Sequence, residues 1–267
     1  MNKNLYIKEL KRNRKNFFVW LSIVFGFTLL VLSIFPYMSG MGEGLTALME
    51  QIPPEIGKAM GMDEQTWSSA LGFYSTYYGV YIVVLISIYT ASTGAGIISK
   101  EERDRTSEFL LTRPVSRKTV FWTKIAALFS LTLIFFGLQT VLAGIGLSLV
   151  NEGTMDWGIF TRMHASGFIL ICFFTAIGVL ISMFFTPKKN FMGMVVGLTF
   201  GTYFLNAIAK STEATKWIGY ISPFNYMEIT IDPHHAFNYW GAIVLILVAI
   251  ILLIVALKSY EKRDMAG

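Results

Sequence analysis

Few residues of this chain are equipped for chemistry, and their spacing limits what they can do. Paired carboxylates occur as Asp63-Glu64 and Glu101-Glu102, Asp232 precedes His234-His235, and Cys172 is the only cysteine. Carboxylates and imidazoles are the usual acid–base groups and metal ligands. Both carboxylate pairs, however, sit in polar connectors, and no further ligand cluster accompanies the histidines. Cys172 has no partner for a disulfide and stands in an apolar run, where cysteine acts as a small packing residue. No Gly-x-x-x-x-Gly-Lys-Ser/Thr segment is present, so a phosphate-cradling loop of that type is absent. Gly40-Met-Gly-Glu-Gly44 lacks the lysine and precedes no strand. The residues thus point to no catalytic centre and no metal site on this chain.

The elements that would position these groups are membrane helices. Of the 267 residues 54% are hydrophobic and only 15% charged, against about 25% charged in soluble domains. Six stretches are long enough to cross a bilayer, which takes about 20 apolar residues. They are Phe17–Met38, Leu71–Ile98, Val120–Val150, His164–Phe185, Phe191–Ile208 and Trp240–Leu257. The expected architecture is all-α and polytopic. The whole of 1–267 reads as one transmembrane domain, since no length remains for a large soluble one. The first apolar run exceeds a signal peptide's, and no small-residue cleavage site follows it.

Charge sets the expected orientation. With the N-terminus in the cytoplasm, inner segments 1–16, 99–124, 188–189 and 258–263 hold all of the 22 Lys/Arg except Lys58, Arg162, Lys210 and Lys216. That asymmetry follows the positive-inside rule and puts both chain ends on the cytoplasmic face. The net charge of +5 then reflects loops facing an anionic leaflet rather than a nucleic-acid partner.

Residues 1–16 are mainly basic, with Tyr6, Ile7, Leu10 and Phe17 spaced for one helix face, which predicts a helix lying on the inner leaflet. The spans hold almost no ionisable groups; Lys124 and His164 fall near helix ends and are expected to reach the interface. Coupled transporters place such groups inside the membrane, so this chain is not expected to capture an ion gradient alone. Gln139 is the strongly polar side chain near a span centre, expected to bond between helices. Together with Asn206, Tyr78 and Tyr81 it is also a candidate for lining a path. Gly193, Gly197 and Gly201 share one helix face and predict close helix packing or a subunit interface. Ala91-Ser-Thr-Gly-Ala-Gly96 is a second small-residue patch. Tyr74, Tyr77, Tyr78 and Tyr81 form a stripe at the outer end of the second span, as in an aromatic belt. The brief turn at 186–190 predicts that the fourth and fifth helices are antiparallel neighbours. Residues 209–239 are too apolar for solvent and too interrupted by Gly219 and Pro223 for a span, predicting an outer re-entrant or interfacial hairpin.

The most densely charged stretch is the connector 99–119. Its residues Glu101, Glu102, Arg105, Thr106, Glu108, Phe109, Leu110, Leu111, Arg113, Pro114, Val115, Ser116 and Arg117, with Lys124 beyond, resemble the cytoplasmic signature of ABC-2 type transporter permeases. The family's frequent glycine before the threonine is Arg105 here. Six helices, the basic N-terminal segment and Ser222-Pro223-Phe224 in the last outer loop extend the resemblance along the chain. It implies a multi-pass permease subunit of an ATP-driven exporter in the plasma membrane, of bacterial type. It further implies a separate ABC ATPase subunit that carries the ATP and magnesium, and a second permease subunit, identical or not. Glu101, Glu102, Arg105, Thr106, Glu108, Phe109, Arg113, Pro114 and Arg117 would then dock the ATPase. Mixed charge suits register with a soluble surface, and Phe109 adds an apolar anchor. Two alternatives stand beside this: a membrane-embedded lipid-modifying enzyme using Asp232, His234 and His235, and a structural or sensory membrane subunit.

Overall fold

The computed structural model describes residues 2–40, 69–103, 116–150, 155–184, 191–232, 234 and 236–262, the side chains of 98–103 excepted. Six long helices dominate, and no strand occurs among the described residues. They are α1 (Lys3–Ser39), α2, α3 (Arg117–Val150), α4 (Trp157–Phe184), α5 (Met192–Ser211) and α6 (Tyr239–Lys262). The second of them, α2, is one column in three pieces: Ala70–Tyr77, a π-helical turn Tyr78–Ile82, and Val83–Arg103. All six carry a stretch long and apolar enough to cross a membrane. Large apolar side chains such as Phe18, Leu29, Val141, Ile251 and Phe204 point away from the bundle, a pattern that only a lipid surrounding makes favourable. The chain is a multi-pass membrane protein.

Packing pairs helices two apart in the chain: α1 with α3, α2 with α4, and α4 with α6. The column α2 is central, with 78% of its apolar stretch buried against 22% for α5 and α6. The expected α4–α5 pairing is not what holds α5. It rests instead on α2 and on the segment that follows it. The reason is close approach between α2 and α4. Gly94 lies against the backbone of Thr175 and Val179, and Gly178 against Ala91. A Cβ on Gly178 would come within 2.6 Å of the Ala91 carbonyl carbon and Cα. Without side chains in the way, the two helices gain van der Waals contact that lipid cannot supply.

One further expectation is corrected. Residues 3–16 and the first span form one unbroken helix, not a surface helix followed by a turn. At 1.5 Å per residue it is about 55 Å long, well beyond a hydrocarbon layer of about 30 Å. Its inward face is Leu5, Glu9, Asn13, Phe17, Leu21, Val24 and Thr28, not the face of Tyr6, Ile7 and Leu10; Ile7 is exposed. Between α5 and α6 the described residues form short helical turns. After α5 the chain reverses into a 3-10 helix, Glu213–Ile221, then a one-turn helix, Pro223–Tyr226. Thr215 donates to Ile208 O at 2.7 Å, Ser222 donates to Thr202 O at 2.7 Å, and Lys210 pairs with Glu228. Phe224 and Met227 are buried, whereas Trp217, Tyr220 and Ile221 are exposed. The segment thus caps α5 and presents an apolar rim.

Candidate coupling site

The charged connector leaves from the end of α2 and returns at the start of α3, and both feet meet α1 in a buried ionic cluster. Lys124, two turns into α3, has no solvent exposure. Its Nζ donates to Ile97 O of α2 at 2.6 Å and lies 3.7 Å from Glu9 Oε1 of α1. Glu9 is equally inaccessible, and its other oxygen lies 3.6 Å from an Arg12 guanidinium nitrogen. Asn13 donates to Glu9 O at 2.9 Å. Lys124 was expected to reach the interface from its helix end, but the unbroken α1 covers it. Asn2 N donating to Thr123 Oγ1 (3.1 Å) and Tyr6 donating to Ser130 Oγ (2.9 Å) fix α1 along α3. A charge sealed from water persists only when paired, and the Glu9 oxygens are held by ion pairs rather than hydrogen bonds. The ion pairs and the Lys124 bond to Ile97 O together tie three helices.

A second set of bonds anchors the returning foot. Arg117 Nη1 donates to Glu261 O at 2.9 Å, Lys118 pairs with the Glu261 carboxylate at 3.7 Å, and Phe121 meets Tyr260 with ring centroids 5.8 Å apart. The start of α3 is thereby tied to the end of α6. An apolar patch of Leu5, Ile97, Phe121, Leu128, Val179 and Tyr260 fills the space beneath.

A family model for ABC-2 family transporter proteins matches residues 3–265. The chain belongs to the ABC-2 transporter family. No curated protein sequence matches it. Among the docking residues of this ABC-2 protein expected from sequence, Glu101 and Glu102 lie in the last turn of α2, and Arg117 opens α3. Arg105, Thr106, Glu108, Phe109, Arg113 and Pro114 fall outside the described residues. The glycines of α5 lie on an open face. A Cβ on Gly193, Gly197 or Gly201 would meet nothing within 4 Å, so they do no packing among the described residues of the protomer.

The residues marked for a path are scattered. Gln139 is fully buried and donates to Thr28 Oγ1 of α1 at 2.7 Å, the interhelical bond its position suggested. Tyr78 is fully buried in the π-helical turn, its hydroxyl against Gly167. Asn206 is buried on α5, and Tyr81 is 39% exposed, its ring 5.3 Å from that of Phe27. The tyrosine stripe is therefore not simply a belt, because Tyr74 and Tyr78 face inward. His164, placed near an interface by sequence, is buried among Tyr74, Tyr78 and Phe160. It bonds Tyr74 Oη at 3.3 Å and Phe160 O at 2.9 Å. Asp232 accepts from His234 N within one turn, and Arg162 of α4 donates to Asp232 O; His235 falls outside the described residues.

Sequence reasoning missed Glu9 and Asn13. The signal was present: both continue, at spacing four, the line Leu5–Glu9–Asn13–Phe17–Leu21 that meets α3. Polar character hid them among the basic residues of the tail.

Proposed function

We propose that this chain, 1–267 as one permease domain, is the membrane subunit of an ATP-driven exporter, borrowing its power from a separate ABC ATPase subunit. ATP and magnesium would be held on that partner. The ATPase docks on the connector 99–119, through Glu101, Glu102, Arg105, Thr106, Glu108, Phe109, Arg113, Pro114 and Arg117, and beneath the start of α1. The observation that carries this reading is the Glu9–Lys124–Ile97 cluster. A push on the connector is delivered through Lys124 and Ile97 O directly to α1, so α1, α2 and α3 tilt as one lever. A solvated loop would need no such buried tie.

In this reading both chain ends are cytoplasmic in the plasma membrane of a bacterium. The open glycine face of α5 meets a second permease subunit, and the translocation path runs along that interface. The segment 209–239 forms its outer rim, lying in the interface region of the bilayer.

The test is co-purification of a nucleotide-hydrolysing chain with the tagged protein from its native membranes. Glu108→Lys should reduce recovery at least about tenfold, a loss of about 1.4 kcal/mol, with membrane insertion unchanged. Arg117→Glu should act similarly but also disturbs the bond to Glu261, so Glu108→Lys is the cleaner variant. Lys124→Met should leave the ATPase bound while abolishing nucleotide-dependent movement of spin labels on α1 relative to α5, which lies outside the lever. Undiminished recovery with Glu108→Lys would reject docking on the connector.

A further inference from the structure

The helices α3, α4 and α6 do not close on one another. They leave a cavity of about 280 Å³. Leu128, Phe129, Phe173, Val179, Ile250 and Leu253 are typical of its wall. Only three lining residues carry polar atoms, and two of those are already satisfied. Thr132 donates to Leu128 O at 3.0 Å and Thr175 to Ile171 O at 2.6 Å. The third is the Cys172 thiol, a weak donor. A water needs two to four polar partners, and a polar cargo needs more, so the cavity suits neither.

Its shape selects among apolar occupants. The lining runs along α4 from Ile169 to Val179, about 15 Å at 1.5 Å per residue. That is half of a hydrocarbon layer of about 30 Å, the depth of one leaflet. A single hydrocarbon chain matches that depth and the lack of polar partners.

Charge marks the mouth. Lys118 lies seven residues before Ile125, two helical turns along the same face of α3, and its side chain is 68% exposed. Arg117 stands beside it, and the Glu261 carboxylate lies 3.7 Å from Lys118. This end of α3 lies at the end of α6, on the side of both chain termini.

We propose that the α3–α4–α6 slot seats one acyl chain of a phospholipid from the leaflet on that side, with the anionic phosphate at Lys118. The site is independent of the ATPase reading. Through the apolar wall it shares with Leu128 and Val179, occupancy braces the α3–α4 gap beside Gly94.

Native mass spectrometry tests it on protein reconstituted into nanodiscs of phosphatidylcholine containing phosphatidylglycerol. One phospholipid should stay bound on release, enriched in phosphatidylglycerol. Ala249→Trp, which fills the slot, should lose it. Lys118→Glu should keep a bound lipid but lose the preference for phosphatidylglycerol. Equal lipid retention by Ala249→Trp and wild type would overturn the proposal. Should Ala249→Trp fail to fold, the wild-type chain decides, because its one cysteine lines the slot. Phosphatidylglycerol added to ten times its Kd should slow alkylation of Cys172 by N-ethylmaleimide about tenfold. Unchanged alkylation would overturn the site as firmly.

Discussion

Two glycine-bearing helix faces behave in opposite ways. Gly193, Gly197 and Gly201 on α5 form the regular stripe, yet nothing lies within 4 Å of the positions their side chains would take. Gly94 and Gly178 form no stripe, being one per helix, yet they make the closest backbone approach between α2 and α4. Spacing on one helix announces a smooth surface. Whether that surface is used, and by whom, depends on a second helix that the spacing does not name. Here the irregular pair builds the protomer, and the regular stripe is left for something outside it.

The contrast yields a graded series. Between the two glycine faces the largest effect is expected for Gly178→Ala, because the obstacle is the Ala91 backbone rather than a movable side chain. It should destabilise the protomer by about 2 kcal/mol or more, read as a lowered unfolding midpoint in a denaturant titration in bicelles. A neutral result would show that α2 and α4 can part without loss, and would remove the contrast. Gly94→Ala meets Thr175 O and Val179 N at 3.2 Å and Leu128 Cδ2 at 3.3 Å, so its neighbours need shift only a few tenths of an ångström. About 1 kcal/mol is expected in the same assay.

Next comes the polar tie between α1 and α3. Gln139→Leu leaves Thr28 without its partner and should cost about 0.6 to 1.7 kcal/mol, the range measured for hydrogen bonds inside membrane bundles. The smallest effect on the protomer belongs to Gly197→Leu, within about 0.5 kcal/mol of wild type. The same substitution should sharply weaken self-association measured by energy transfer between labelled protomers in a bilayer. If it instead unfolds the protomer, the α5 face is internal and the comparison reverses.

The ionic cluster extends the argument to charge. Glu9→Gln or Lys124→Met alone strands a buried charge and should destabilise by about 3–5 kcal/mol, whereas replacing both with apolar residues should recover much of that loss. Additive losses in the thermal-unfolding cycle would mean that the two groups do not depend on each other.

The six spans were legible because a bilayer imposes a length and a composition on every segment that crosses it. Gln139 could be placed in an interhelical bond because an amide in hydrocarbon must find a partner. Glu9 and Lys124 were not legible as a pair. They are 115 positions apart, each near other charges, and only the docking of an unbroken α1 on α3 seals them from water. The π-helical turn at Tyr78–Ile82 left no mark in composition either; it is a backbone feature found where Tyr74 and Tyr78 pack on His164.

By itself, then, the amino-acid sequence determined that this is a bundle of six membrane helices with one densely charged connector, and its motif residues pointed to the family. Those properties are local, being fixed by transfer of each segment from water to lipid. Tertiary structure alone decided that helices pair two apart, that the α5 glycines face outward, that Lys124 is a buried tie and that α3, α4 and α6 leave a slot. Each of these depends on the mutual fit of surfaces far apart in the chain, where lipid and protein are equally apolar and only shape and hydrogen bonding discriminate.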